Sequence, residues 1–219
     1  MHPANQRASA FCEAYGLRLP ILLAPMAGAC PPALSIAVAE AGGLGACGAL
    51  LLTPAEIRKW AAEFRAGSSG GFQINIWIPD PPPVRDPAAE AAVRAFLAGW
   101  GPEPPPEAAD ARLPDFVEQC EALLEAAPAA ISSIMGLFPP ALVTRAQARG
   151  IKWMATATTV AEARRAEAAG ADAIIVQGME AGGHRGAFDA AKAEAQMVGL
   201  LALLPAVADA VRVPVIAAG

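Results

Sequence analysis

Residues 151–177 read IKWMATATTVAEARRAEAAGADAIIVQ. An apolar run (151–157) is followed by a threonine-led, alanine-rich stretch of helical composition (159–169). Gly170 interrupts that stretch, and a second apolar run (173–177) follows. This is a strand–helix–strand unit whose strands are apolar throughout instead of alternating, the pattern of a parallel sheet covered on both faces. The same unit repeats outward in both directions. Upstream, LPILLA (19–24), GLGACGALL (43–51), FQINIWI (72–78) and AISSIMGL (130–137) read as strands. Helical stretches at 32–41, from Pro54, at 115–126 and at 139–149 separate them. The Pro54 stretch opens on Thr53, a capping residue followed by proline at the first helical position. Downstream, a helix over 195–211 leads into VPVIA (213–217). Seven strands and six helices in one series fit either an open doubly wound sheet or a (β/α)8 barrel. The first strand-to-helix turn is APMAGACPP (24–32), not the GxGxxG of a dinucleotide fold. The α/β reading expected here is therefore a TIM (β/α)8-type barrel.

Residues 79–114 break the series. Two proline clusters bracket a short helical stretch near 88–97, so the segment reads as an insert after the third strand, a candidate lid or loop. Of the 219 residues, 55% are hydrophobic and 17% charged, and the formal net charge is −5. An acidic balance without a basic block argues against a nucleic-acid or anionic-membrane surface. The most apolar stretch, 197–211, contains Pro205 and Asp209 and falls short of the ~20 residues a spanning helix needs. No signal-peptide core precedes it, and Cys12, Cys30, Cys47 and Cys120 form no CxxC or Cys/His cluster. Free thiols in a reducing cytoplasm are the expectation, with no metal site. The oligomeric state is not legible.

In a barrel the chemistry gathers where strands end. Those ends read Pro25-Met26-Ala27-Gly28, Gly48-Ala49, Asn75-Ile76-Trp77, Met135-Gly136, Thr156 to Thr159, Gln177-Gly178 and Gly219. None supplies a carboxylate pair or a ligand set for a metal. Small residues let a flat ligand approach the backbone, and the amides of Asn75 and Gln177 both donate and accept. That mixture suits an aromatic heterocycle. The sharpest feature is Glu180-Ala181-Gly182-Gly183-His184-Arg185-Gly186, a histidine on a glycine-flanked loop. His184 reads either as an acid, base or anion contact, or as a surface residue without a role. Arg185 reads as an anion attractor or a solvated cation. Trp77 reads as a core or lid contact more readily than as a stacking platform. Thr156, Thr158 and Thr159 read as ligand contacts or, for one of them, as the cap of the next helix.

Together, AFCEAYGLRLPILLAPMAGACPPALSIAVAEAGGLGACG (10–48), FQINIW (72–77), MATATTVAEARRAEAAGADAIIVQGMEAGGHRGAF (154–188) and VPVIAAG (213–219) resemble the nitronate monooxygenases, formerly 2-nitropropane dioxygenases. The resemblance is weakest over 79–128, and QGMEAGGHRG is its most specific piece. It implies an FMN-dependent TIM barrel that oxidises alkyl nitronates with O2 to carbonyl compounds and nitrite. It implies that His184 deprotonates a nitroalkane or contacts the nitronate. It places FMN against Pro25, Met26, Ala27, Asn75, Gln177, Gly182 and Gly219. NAD(P)H-dependent FMN reductases of the quinone or enoyl-ACP reductase type share a glycine-flanked loop histidine and form the alternative. Because the family pattern continues beyond VPVIAAG, a seven-strand, C-terminally incomplete barrel is expected, and a non-catalytic partial barrel is the third reading.

Overall fold

The structure is a computed structural model that describes residues 3–81 and 84–219; His2 lies outside the described residues. Two compact units emerge, residues 79–113 and the remainder.

The larger unit is built on six strands: β1 (Gly45–Gly48), β2 (Phe72–Trp77), β3 (Ala130–Ile134), β4 (Lys152–Ala157), β5 (Ala173–Gln177) and β6 (Val215–Ala218). Every neighbouring pair is parallel, and the spatial order is the chain order. A doubly wound sheet reverses direction at a switch point. An unbroken chain-order series of parallel strands is the wall of a TIM-type barrel. The expected strand at 19–24 is reduced to one parallel bridge, Leu22 to Leu44. Pro20 has no N–H to give the ladder, and Pro25 ends it. Seven expected strands thus become six and a bridge.

Both sheet faces are covered, which is why the strands read as apolar runs. One face carries Ile74, Ile76, Ile131, Trp153, Ile174 and Val176, all but fully buried. Against it lie α2 (Pro32–Glu40), α3 (Pro54–Gly67), α5 (Phe116–Ala126), α6 (Pro140–Gln147), α7 (Val160–Ala168) and α8 (Leu200–Ala210). Thr53 caps α3 as expected, accepting from Glu56 N while the Glu56 carboxylate accepts from Thr53 N at 2.8 Å. Trp153 donates from its indole to Ser133 Oγ at 3.1 Å, so its one polar atom is satisfied inside the core.

Two boundaries differ from expectation. The helix expected from 195 begins at Leu200, because residues 190–196 form two short 3-10 turns and Met197 is extended. Residues 3–15, given no element by the sequence reading, form helix α1 (Pro3–Tyr15). Its Phe11 and Tyr15 rings stack, and they pack with Leu44, Ala130, Met154 and Ala173 on the opposite, inward face of the strands. Helix α1 therefore closes the end of the barrel where the strands begin.

The smaller unit contains α4 (Pro87–Ala98) and a 3-10 turn at Pro106–Asp110. Asp86 caps α4, and Arg85 pairs with Glu90 and, at 2.7 Å, with Asp110. No residue of α4 is buried, and Phe96 and Trp100 are exposed.

Candidate functional site

The strand ends opposite α1 bring the sequence-selected residues into two groups. In the first, Gly48 and Asn75 are register partners across β1 and β2. The Pro25–Ala27 segment follows the Leu22 bridge and lies directly on Gly48. A Cβ at that glycine would stand 2.7 Å from Ala27 N and 3.0 Å from Ala27 Cα, so only glycine permits the approach. Cys30 holds the turn behind the segment, accepting from Met26 N at 3.4 Å and donating to Ala24 O at 3.1 Å. Burial pushes the neighbouring Cys47 thiol up to about 12, with Cys30 adding to the shift. All four cysteines are free and buried. Asn75 is buried and donates to Ser132 Oγ at 3.0 Å and Ser132 O at 3.2 Å. Its Oδ1 has no partner among the described residues. Gln73, two residues deeper, donates to Leu23 O, and its Oε1 is buried without a partner.

The second group surrounds the glycine loop. Gln177, at the end of β5, uses both ends of its amide: Nε2 donates to His184 O at 2.9 Å, and Oε1 accepts from Gly186 N at 2.7 Å. Gly186 has no room for a side chain, since a Cβ would lie 2.9 Å from Ile134 Cγ1 and 3.1 Å from Thr156 Cγ2. Gly182 and Gly183 are open, with nothing within 4 Å of where a Cβ would stand, and Gly183 has φ +79°. The loop's glycines thus do different work. Gly186 anchors it to the barrel, and the Gly182–Gly183 backbone is left bare.

Arg185 is neither a free cation nor a carboxylate partner among the described residues. Its guanidinium donates to Gln177 O at 3.1 Å, Gln196 O at 3.2 Å and Thr158 O at 3.5 Å. It therefore clamps the ends of β4 and β5 to the 3-10 region. Sequence reasoning passed over Glu162. Its buried carboxylate accepts from Thr158 N and Oγ1, and its second oxygen accepts from Phe188 N at 2.7 Å. Thr159 caps α7 by accepting from Glu162 N. The spacing of Thr159 and Glu162 carries a capping signal in sequence; the reach to Phe188 does not.

With its backbone pinned at its own carbonyl and at Gly186 N, His184 is exposed at the loop crest. Its ring meets Trp77, with centroids 4.6 Å apart and planes at 63°, an edge-to-face arrangement. This contact joins the two groups, because Trp77 is two residues beyond Asn75 on β2. Gly219 follows Ala218, the register partner of Gln177, and lies beside Glu180 and Leu200. Both Glu180 oxygens accept from Leu200 N, at 2.9 and 3.0 Å, at the start of α8. Its own backbone N–H first, and then that of Leu200, hold the Glu180 carboxyl below the usual carboxylate range. A pocket of about 170 Å3 opens beside Gln177, Met179, Gly183 and Arg185. Among the described residues no group of three His, Cys, Asp or Glu is placed to hold a metal ion, and no helix is long and apolar enough to cross a membrane.

The nitronate monooxygenase family model matches residues 9–219. Nitronate monooxygenases from Pseudomonas aeruginosa and Paraburkholderia phytofirmans are each 39% identical to the chain, over 95% and 93% of its length respectively. The matches cover 61% and 57% of those proteins, so the chain spans about three-fifths of the length of the curated relatives it matches. Among solved structures, nitroalkane oxidase from Streptomyces ansochromogenes superposes with a TM-score of 0.82 at 34% identity, over 95% of this chain and 60% of that one. FabK from Thermotoga maritima superposes with a TM-score of 0.69 at 27% identity, over 95% and 53%.

Proposed function

Because the chain belongs to the nitronate monooxygenase family, we propose that it carries the flavin- and substrate-facing part of an oxidoreductase. That enzyme converts alkyl nitronates, with O2, to carbonyl compounds and nitrite. The observation that carries this reading is the presentation of His184. Its carbonyl is held by Gln177 and its ring rests on Trp77, on a loop whose glycines leave the backbone open.

The residues present fit FMN. The buried Gln73 Oε1 lacks a partner among the described residues, and Asn75, two residues further along the same strand, gives its Nδ2 to Ser132 and keeps its Oδ1 to accept, the complement of a ring that carries N–H groups. Gly48 lets the Pro25–Met26–Ala27 backbone close on the same strand ends. Pro25, Met26, Ala27, Asn75, Gly182 and Gly219 would hold the group, with Gln177 acting through the loop it braces. Bound there, FMN would take electrons from the nitronate and pass them to O2. His184 would remove the proton from the carbon bearing the nitro group, making the nitronate from a neutral nitroalkane. Arg185 and Glu162 keep the loop from drifting while that proton moves.

Nitrite release measured with a neutral nitroalkane and with its preformed nitronate tests the reading. His184→Asn should lower turnover of the nitroalkane by about 100-fold or more and spare the nitronate, whose proton is already gone. Equal losses on both would overturn the role given to His184. Rapid anaerobic bleaching of the bound flavin by NADH would instead favour an NAD(P)H-dependent FMN reductase.

A further inference from the structure

We propose that Trp77 is a positioning residue for His184: its indole sets the orientation of the imidazole and so acts on proton abstraction alone. The inference rests on the reading of His184 as the base.

Three observations place Trp77 in this role. First, the hydrogen bonds of Gln177 fix only the backbone around His184, at its carbonyl and at Gly186 N. They leave the side-chain torsions free, and an exposed imidazole samples several rotamers. The ring contact with Trp77 is what selects among them. Second, Trp77 and Ile134 are register partners on adjacent strands, and Ile134 Cγ1 is the atom a Gly186 Cβ would strike. The loop thus rests on this pair, with Ile134 under Gly186 and Trp77 against His184. Third, Trp77 is only half-buried, whereas Gln73 and Asn75, which share its face of the strand, are buried. A tryptophan serving only the core would be buried with them.

The experiment uses the full chain with FMN added. The sequence has two histidines, His2 and His184, so imidazole resonances are assigned by comparison with His184→Asn. In Trp77→Leu, which keeps an apolar side chain but loses the aromatic ring, the His184 ring-proton resonances should move to the position of an unstacked imidazole. Turnover of a neutral nitroalkane should fall about threefold to tenfold, as expected for losing one aromatic pair. Turnover of the preformed nitronate should change less than twofold, and Trp77→Phe should restore most of the loss. Unmoved His184 resonances, or equal losses on the two substrates, would overturn the proposal. If His184→Asn itself leaves nitroalkane turnover intact, the base role fails and the catalytic part of this inference with it. The resonance shift would still report the contact.

Discussion

At Gly48 the barrel wall and the Pro25–Ala27 segment touch so closely that no side chain fits between them. Gly48→Val should force the segment outward and destabilise the fold by about 1–3 kcal/mol, the range for overpacking. Urea unfolding would show the lower midpoint, and titration with FMN would show weaker binding than in the unsubstituted chain. A normal FMN affinity in a folded Gly48→Val protein would mean that the segment does not line the flavin. At this scale the make-up of the candidate site is legible in the chain itself. Glycines punctuate the His184 loop, and Asn75 and Gln177 stand out as amides closing apolar runs. What each amide does was not legible. Whether Gln177 faces a ligand or spends itself on His184 and Gly186 depends on how the loop folds back. The bonds from Glu162 to Phe188 and from Trp77 to His184 join residues that only the assembled sheet makes neighbours.

Helix α8 shows how a strand-end loop supports the element that follows it. Gly199 offers no side chain to the first N–H groups of the helix, and Glu180 supplies both carboxylate oxygens to Leu200 N. The Glu180 carboxyl is held below the value near 4.3 that it has in an unfolded chain. Its stabilising contribution is therefore complete above that pH and is lost as pH falls through the lower folded value. Glu180→Gln should be less stable than the parent at pH 7 and should lose less of its remaining stability on acidification. Urea midpoints at neutral and acid pH would measure both. Elements with a local signature were read directly: Thr53–Pro54 opens α3, and the apolar runs at β2 to β5 sit where expected. The fold departs from the composition where tertiary context overrides it. The alanine-rich 190–196 region forms short turns under the Arg185 clamp. Helix α1 has a weakly patterned sequence because, among the described residues, its contact with the barrel is concentrated at its C-terminal end, at Phe11, Cys12 and Tyr15.

Across the larger unit, the two ends of the barrel differ: α1 seals one, and the loops of the other carry the candidate site. Tyr15→Ala should cost roughly 3–5 kcal/mol, as for other large aromatic truncations in a core. It should leave the Trp77–His184 contact in the surviving folded fraction unchanged. Chemical denaturation, together with the His184 resonance position, would test both statements. The parallel chain-order sheet was foreseeable from the recurring strand–helix unit; the shrinkage of the first strand to a bridge was not, because it depends on which ladder positions Pro20 leaves empty. The strand order also bears on how the molecule assembles. Strands β3, β4 and β5 are joined by crossovers of under about twenty residues, whereas β2 reaches β3 only after about fifty, with the smaller unit in between. Each doubling of a closed loop adds about 0.6 kcal/mol of entropic cost, so β3–β5 should pair before β2 docks. Trp77 lies on one side of that late junction and His184 on the other. The ring contact at the centre of the site should therefore be among the last to form during folding and the first to report a loosened barrel.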